Sequence, residues 1–210
     1  MSKNLHPAIR KVRFERTFCM IKPDGVYRSL IGEIISRFEK AGLKVVAMKM
    51  LVPTRELAAQ HYPTSDEAWV QNIGNNTFAG FEGIEGVTVK EVMGTEDKYE
   101  IGKIVSDGLV EFLCSGPVVA MVVEGVQAIQ MVRKLLGSTL PFMAAVGTIR
   151  GDYSIDNPII ANAQIRPIHN LAHASGNTTE AEHEIALWFK KDEVYDYKLS
   201  NEQVTYERYY

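Results

Sequence analysis

The amino-acid sequence predicts an α+β protein in which helices pack on one face of a single sheet. Strand-like and helix-like segments alternate along the chain, and residues 118–123 are apolar at every position. Hydrophobic residues make up 46% of the 210 residues, which is enough for one core of good size. We therefore expect one α/β domain that spans residues 1–210.

The first half of the chain is predicted to contain two strands and two helices. Residues 16–21 form the first strand, and the turn-forming Lys-Pro-Asp-Gly segment at 22–25 ends it. Ile31, Ile34 and Phe38 share one helical face, and Gly42 is a natural end for that helix. Residues 43–52 are predicted to be a strand, and residues 55–62 a short helix that stops before Pro63.

The second half is predicted to contain a long strand, a short strand and three helices. Residues 99–113 and 126–136 form helices on either side of the strand at 118–123, which is apolar on both faces. A short strand surrounds His173. The last helix begins at a capping box formed by Thr179 and Glu182.

Two segments between these elements are predicted to be irregular. Residues 64–97 are rich in Gly, Asn, Glu and Thr, and hold too few large apolar residues for a core of their own. Short β-hairpins are expected within 87–93. Residues 157–168 contain Pro158 and Pro167 and form the second irregular segment.

Charge and cysteine content limit the class of protein. The formal net charge of -3 argues against broad nucleic-acid binding. Cys19 and Cys114 lie in apolar segments and are expected to be free thiols, and no Cys/His spacing indicates zinc. Neither a signal-peptide core nor a membrane-spanning run is found, so we expect a cytoplasmic protein with no membrane partner and no specific nucleic-acid partner.

The segment 170–175, Asn-Leu-Ala-His-Ala-Ser, is the strongest candidate for chemistry. Its His173 can act as a nucleophile, an acid or a base, although a histidine that merely bonds to the backbone is the simpler alternative. Glu184 falls near the buried face of the last helix, where a carboxylate needs a partner, unless it is a surface residue. We expect Glu184 to accept the Nδ1–H of His173 and to leave Nε2 free for attack.

Dispersed cations could bind a phosphate near this histidine. Lys22, Arg55, Arg133 and Arg150 lie at the boundaries of predicted elements, although each alone is more often a solvated surface residue. Neither a Walker A motif nor a dinucleotide fingerprint is found, so a nucleotide would be bound by another route. His61 is expected on a helical surface, and the remaining histidines are weaker candidates: His6, His169 and His183.

Eight separated motifs resemble those of the nucleoside diphosphate kinase family. They follow the family's order over residues 14–190, with two interruptions: ERTF at 15–18, KPDGV at 22–26, IGEIISRFE at 31–39, HY at 61–62, SGPVVAMV at 115–122, GTIRGD at 147–152, NLAHAS at 170–175 and EIALWF at 184–189. Several motifs in the right order are far more specific than any one of them.

The resemblance implies a ferredoxin-like α/β sandwich with insertions at about 63–104 and 156–169. It implies ping-pong transfer of the γ-phosphate from a nucleoside triphosphate to a nucleoside diphosphate, with Mg²⁺ held by the phosphates rather than by protein ligands. ATP and other nucleotides are the expected partners. A homo-oligomer is also expected, with a hexamer favoured and a tetramer possible.

The resemblance also implies a role for each matching residue. His173 is the phosphorylated nucleophile, and Ser175 and Glu184 orient it. The expected nucleotide contacts are Lys22 and Tyr62 near the transferred phosphate, Arg133, Thr139 and Arg150 at the more proximal phosphates, and Asn170 at the sugar.

Two departures from the family pattern concern the nucleotide. The acidic residue of the family's His-Gly-Ser-Asp-Ser motif is replaced by Gly176, and the base-stacking phenylalanine falls near Val105. Tyr99 and Phe112 flank Val105, and the candidates to replace that aromatic lie in the first insertion, namely Trp69, Phe78 and Phe81. Both insertions are expected to cover or extend the cleft.

Two alternatives stay open at this stage. One is a non-catalytic member of the same family, acting as a nucleotide-binding or scaffold protein. The other is a sandwich domain that binds nucleic acid, since ferredoxin-like sheets also bind RNA.

Overall fold

The computed structural model describes residues 14–81 and 85–200, together with residues 202 and 204. These residues form a four-stranded antiparallel sheet of order β2-β3-β1-β4. The strands are β1 (Phe14–Ile21), β2 (Lys44–Leu51), β3 (Val118–Val126) and β4 (Ala172–Ala174). This topology, with helices packed on the sheet, confirms the predicted ferredoxin-like sandwich.

The helices confirm most of the predicted elements. They are α1 (Pro23–Tyr27), α2 (Ile31–Lys40), α3 (Arg55–His61), α4 (Glu67–Ala79), α5 (Val89–Met93), α6 (Lys98–Cys114), α7 (Ala128–Leu136), α8 (Ile149–Tyr153), α9 (Pro158–Ala163) and α10 (Thr178–Trp188). No helix among the described residues is long and apolar enough to cross a membrane.

Helices cover both faces of the sheet, so the prediction of helices on one face is wrong. On one face, Ile34 of α2 and Val132 of α7 pack against Ile21. On the other face, Leu113 of α6 and Trp188 of α10 pack against Met20 and its neighbours. Because successive side chains of β1 and β3 point to opposite faces and are apolar on both, both faces must be covered.

Two helix starts differ from the sequence prediction. Helix α7 begins at Ala128 rather than 126, because Val126 still pairs with Phe14 in the sheet. Helix α10 begins at Thr178, because the Asn177 side chain accepts the Glu180 N–H and caps the helix there. The predicted capping box at Thr179 is therefore wrong.

The segment 64–97, which was predicted to be irregular, contains two helices, α4 and α5. Instead of a hairpin at 87–93, a capping box formed by Thr88 and Glu91 begins α5, and Gly94, at a φ of 75°, ends it. Helices α4 and α6 pack closely because each has a glycine at the contact. A Cβ at Gly74 would overlap the Lys98 carbonyl, and a Cβ at Gly102 would overlap the Val70 carbonyl. The segment also has the small core that composition seemed to exclude, and its members are Phe81, Val89, Met93 and Ile101.

The segment 156–169 folds around α9 and packs against the first. Arg166 donates two hydrogen bonds to the Asp156 carboxylate, at 2.6 and 2.9 Å, and these bonds connect the two ends of the segment. Val105, Asn162 and Pro167 are among the residues that line a small cavity between the two segments. The two segments therefore pack against each other next to the C-terminal part of α6.

Candidate active site

A cleft of about 690 Å³ opens at one end of the sheet and brings most of the predicted site residues together. Seven of them line it: Lys22, Tyr62, Arg133, Thr139, Arg150, Asn170 and His173. The other two, Ser175 and Glu184, contact each other directly behind His173. Arg55 lies elsewhere, exposed beside Glu111, so that candidate cation is wrong.

His173 and Glu184 form a hydrogen-bonded pair at the base of the cleft. His173 Nε2 lies 2.7 Å from Glu184 Oε1, and Ser175 Oγ donates to Glu184 Oε2 at 2.5 Å. Glu184 is 5% exposed, so its carboxylate is buried as expected from the helical spacing. The prediction that Nδ1 binds Glu184 is wrong: Nε2 makes that contact, so Nδ1 is the nitrogen available for attack.

The backbone before β4 is held in an unusual conformation that places His173. Leu171 has a φ of 70°, its N–H donates to Asp24 Oδ2 at 2.9 Å, and its carbonyl accepts the Lys22 N–H at 2.8 Å. A Cβ at Gly25 would lie 2.9 Å from the Leu171 carbonyl oxygen. A left-handed leucine persists only when its surroundings fix it, and the Lys-Pro-Asp-Gly turn does so here.

His61 is buried beside this pair, so its predicted surface position is wrong. Its ring meets the His173 ring edge-to-face, with centroids 4.5 Å apart. Its Nδ1 accepts a long hydrogen bond of 3.4 Å from the Trp188 indole. The sequence signal for this position was its place in the HY motif, next to a residue expected in the cleft.

Lys22 supplies a buried cation at the end of β1. Burial lowers the pKa of Lys22 to about 8, and the nearby Asp24 carboxylate opposes this shift. The amine is therefore protonated at neutral pH. A bound polyanion would raise its pKa and so favour the charged form further. Its Nζ lies 5.5 Å from the centre of the Phe112 ring.

Arg150 is both a structural brace and a cleft cation. Its guanidinium donates to the carbonyls of Gly137 at 3.0 Å, Asn170 at 3.0 Å and Ala172 at 2.6 Å. Burial lowers the pKa of Arg150 to about 10, so the group stays charged at neutral pH. Arg150 thus holds the strand that carries His173 while presenting positive charge to the cleft.

Asn170 has an unpaired oxygen in the cleft wall. Its Nδ2 donates to the Thr139 carbonyl at 2.9 Å, whereas its buried Oδ1 has no hydrogen-bond partner among the described residues. A buried acceptor without a partner is costly, so a ligand hydroxyl or amine that reached it would be stabilised.

Glu180 places a carboxylate next to Gly176. Its Oε2 accepts the Gly176 N–H at 2.7 Å, and its Oε1 accepts from Asn177 Nδ2 at 2.7 Å. Glu180 also lines the cleft. Sequence reasoning missed this residue, although the three-residue spacing from the helix cap at Asn177 could have indicated it.

Two of the aromatics proposed to replace the base-stacking phenylalanine are occupied elsewhere. Phe81 is buried in the core of the first segment, and Phe78 and Val105 pack against it. Trp69 stacks on the cleft residue Tyr62 at 6.3 Å, and Phe112 stacks on His169 at 5.0 Å and lies beneath the cleft cation Lys22. Tyr99 lies under Lys103.

Neither inserted segment contributes a described residue to the cleft wall, so the prediction that both cover it is wrong for this structure. Their contact with the site is indirect, through Trp69 on Tyr62 and through Leu109 of α6, which does line the cleft.

The charge of the cleft suits a polyanion. Its described lining includes four cations, namely Lys22, Arg133, Lys134 and Arg150, and Glu180 as the one carboxylate. Lys134 had not been singled out from the sequence. Such a wall can bind several phosphate groups but offers no cage of carboxylates for a protein-bound Mg²⁺.

The fold and the cleft define an α/β protein with a histidine in a cleft lined by cations. Comparison with known proteins narrows this class. The family model described as nucleoside diphosphate kinase matches residues 15–72 and 91–194, and the chain belongs to this family.

Individual relatives support the assignment over nearly their full length. The chain is 47% identical to a nucleoside diphosphate kinase of Pyrobaculum aerophilum, covering 86% of this chain and 97% of that protein. The crystal structure of an NDP kinase from this organism has a TM-score of 0.83 at 44% identity, covering 88% of this chain and all of that one.

Two further solved structures carry ligands. A transition-state mimic of the Borrelia burgdorferi enzyme with vanadate and ADP has a TM-score of 0.70 at 37% identity, covering 91% of this chain and 96% of that one. A Halobacterium salinarum enzyme in complex with CDP has a TM-score of 0.65 at 38% identity, covering 93% of this chain and all of that one.

Proposed function

We propose that this protein transfers the γ-phosphoryl group from a nucleoside triphosphate to a nucleoside diphosphate through a phosphohistidine at His173. The observation that carries the proposal is the orientation of His173 in a cleft lined by cations. Its Nε2 is bonded to a buried carboxylate, and its Nδ1 has no hydrogen-bond partner among the described residues.

In the first half-reaction, the Nδ1 lone pair attacks the γ-phosphorus. The bond from that phosphorus to the β,γ-bridging oxygen breaks, and the nucleoside diphosphate leaves with the electron pair. Nε2 keeps its proton, so the phosphorylated ring is positive and the Glu184 carboxylate stabilises it. In the second half-reaction, a terminal phosphate oxygen of another diphosphate attacks the phosphorus. The bond from phosphorus to Nδ1 breaks, its electron pair returns to Nδ1, and the neutral imidazole is restored.

The cleft residues stabilise the charges that this transfer develops. Lys22 and Tyr62 act near the transferred phosphoryl group. Arg133, Thr139 and Arg150 bind the more proximal phosphates, and the unpaired Oδ1 of Asn170 accepts from a sugar hydroxyl. Ser175 holds the second oxygen of Glu184. Positioning and electrostatics supply most of the rate enhancement in phosphoryl transfer.

Mg²⁺ fits this cleft as a companion of the nucleotide rather than as a resident metal. Glu180 is the one carboxylate among the described lining residues, and Mg²⁺ usually keeps several waters and binds substrate phosphates. When bound, it would neutralise part of the phosphate charge. Glu180 at the mouth of the cleft could accept hydrogen bonds from its waters.

We further propose that the chain is one family domain over residues 1–210 with insertions at about 63–104 and 156–169. The interruption of the family match at 73–90, inside the first insertion, supports that insertion, whereas the match continues through 156–169. The free thiols Cys19 and Cys114 are typical of a reducing compartment and support the expected cytoplasmic location.

Self-association is proposed through the edge of β2. Met48 and Met50, at alternate positions of the edge strand β2, are 56% and 57% exposed, and Val52, directly after the strand, is 57% exposed. An exposed apolar edge favours pairing with a second copy. A hexamer is favoured over a tetramer, and sedimentation of the wild-type protein beside Met50→Lys tests whether this edge is buried in the assembly.

Radiolabelled ATP tests the proposed reaction. Incubation with γ-labelled ATP and Mg²⁺ should give an acid-labile label on the protein, which any nucleoside diphosphate should remove. His173→Ala should not be labelled, whereas the exposed His183→Ala should behave like wild type. A folded wild-type protein that binds nucleotide without becoming labelled would instead be the non-catalytic family member.

A further inference from the structure

His61 is a second buried histidine next to the His173–Glu184 pair. Its side chain is 1% exposed, and its Nδ1 lies 3.7 Å from Glu184 Oε1, the oxygen that binds His173 Nε2. His61 is not among the residues that line the cleft. Any effect that it has on the reaction must therefore act through its neighbours.

The Trp188 indole fixes the tautomer of His61. An indole N–H can only donate, so the Nδ1 that it faces at 3.4 Å must carry a lone pair. A neutral ring then carries its proton on Nε2. That nitrogen is buried and has no hydrogen-bond partner among the described residues.

Packing alone does not explain a histidine at this position. A phenyl ring would fill nearly the same space between Phe18, Tyr62 and His173 without burying an unpaired N–H. What a phenyl ring lacks is the acceptor for Trp188. Trp188 and Glu184 are four residues apart on α10 and so share one face, which makes Glu184 the alternative acceptor for the indole.

We propose that His61 is a positioning residue whose Nδ1 accepts the Trp188 indole N–H and thereby reserves Glu184 Oε1 for His173. This inference rests on the proposed phosphohistidine mechanism. With Oε1 reserved, Nε2 of His173 stays bonded and Nδ1 stays directed at the nucleotide. A protonated Nδ1 on His61 would have the opposite effect, because it would be a second donor to the same oxygen.

The surroundings of His61 keep it neutral. Burial, followed by the charges of His173, His183 and Lys22, holds the pKa of His61 well below its usual value. The facing groups come from β4 with His173, from α10 with His183 and Glu184, and from the end of β1 with Lys22. Glu184 is the one facing carboxylate in this set, and it is already bonded to His173.

The rank order of two substitutions separates this role from packing. The Asn side chain of His61→Asn can accept from Trp188 and cannot be protonated, so phosphorylation of His173 should stay within about threefold of wild type. His61→Phe keeps the ring but loses the acceptor. It should lower the single-turnover rate about tenfold, the cost of one hydrogen bond, with the apparent nucleotide affinity within about twofold.

The pH profile of the phosphorylation rate gives a second measurement, which does not require that His61→Phe folds. Trp188→Phe removes the donor that occupies Nδ1 of His61, so that nitrogen can be protonated at a higher pH. The acidic limb of the pH profile should therefore move up by about 0.5–1 pH unit. The double variant Trp188→Phe/His61→Asn should return to the wild-type limb, because asparagine does not titrate. The exposed Glu182→Gln, on the same helix, is the matched control and should leave the limb unchanged.

Distinct results overturn the two proposals. Absence of label on wild-type His173 refutes the proposed function. Normal wild-type labelling, with His61→Phe equal to or faster than His61→Asn, refutes the role of His61 alone. An unmoved acidic limb in a folded Trp188→Phe variant refutes it as well.

Discussion

The cleft and the two added segments, residues 63–104 and 156–169, differ in what fixes their side chains. In the cleft, buried polar groups are held by backbone atoms from distant parts of the chain, as Arg150 is by the carbonyls of Gly137, Asn170 and Ala172. The first added segment is held by close helix packing and a small apolar core of its own, and the second by the ion pair between Arg166 and Asp156.

This difference separates chemistry from packing. A change in the cleft should lower the rate of phosphoryl transfer while the fold persists. A change in the added segments should loosen their packing while the reaction continues, since no described residue of either segment lines the cleft.

The largest effect is expected for Glu184→Gln. The amide keeps the shape of the side chain, but it cannot neutralise the positive charge of the phosphorylated ring, and its NH₂ group cannot accept from Ser175. We expect the rate of His173 phosphorylation to fall about 100-fold. Rapid-quench measurement of the label gives this rate, and the exposed Glu182→Gln on the same helix is the control. Equal rates in the two variants would show that the charge of Glu184 has no role.

The turn that supports Leu171 should be the next most sensitive position. In Gly25→Ala the new Cβ would lie 2.7 Å from Ile21 Cγ2 and 2.9 Å from the Leu171 carbonyl oxygen. We expect a loss of about 2 kcal/mol in unfolding free energy and a rate about tenfold lower, because His173 follows Leu171.

Gly32→Ala provides the control for this substitution. Gly32 lies in α2, and nothing lies within 4 Å of an added Cβ there. It should be neutral or stabilising in denaturant unfolding. A Gly25→Ala variant as active and as stable as Gly32→Ala would show that the turn does not hold His173 in place.

Lys22 predicts a pH dependence of nucleotide binding. Its pKa of about 8 in the free protein lies below the usual value, because burial disfavours the charged form. A bound diphosphate favours the cation, so above pH 8 binding must be accompanied by proton uptake. The dissociation constant for ADP should rise on the order of tenfold per pH unit there, and stay level below pH 8.

Calorimetric titrations from about pH 7 to 9.5 measure this slope. The phosphates are fully ionised in that range and contribute none of it. Lys22→Gln should bind more weakly at every pH and with no slope between pH 8 and 9, below the pKa of about 10 of Arg150. If the dissociation constant of the wild-type protein depends on pH no more than that of this variant, Lys22 is not the group that titrates.

The sequence predicted the parts of the molecule that depend on local pattern. The all-apolar run at 118–123 gave β3, and the spacing of Ala181, Glu184 and Trp188 placed a carboxylate on the buried face of α10. The parts that depend on packing between distant residues were not predictable. Which nitrogen of His173 faces Glu184 is one example, because that choice follows from three-dimensional contacts that spacing does not encode.

Helix α4 shows the same limit in the added segment. It contains three Asn residues and Gly74, which have low helix propensity, so its sequence favours a loop. The helix forms because Asp66 caps it and because Gly74 and Gly102 let α4 and α6 approach closely. Close approach multiplies weak dispersion contacts, and this gain appears only in the folded pair.

The smallest effect on activity should accompany the largest local disruption. In Gly74→Ala the new Cβ would overlap the Lys98 carbonyl, so α4 must move away from α6. We expect faster proteolysis and faster amide exchange in α4, with phosphoryl transfer within about threefold of wild type. Gly108→Ala, on α6, meets Pro167 only at 3.7 Å and is the matched control. A large loss of activity in Gly74→Ala alone would show that the added segments act on the cleft, with the stacked pair of Trp69 and Tyr62 as the connecting contact.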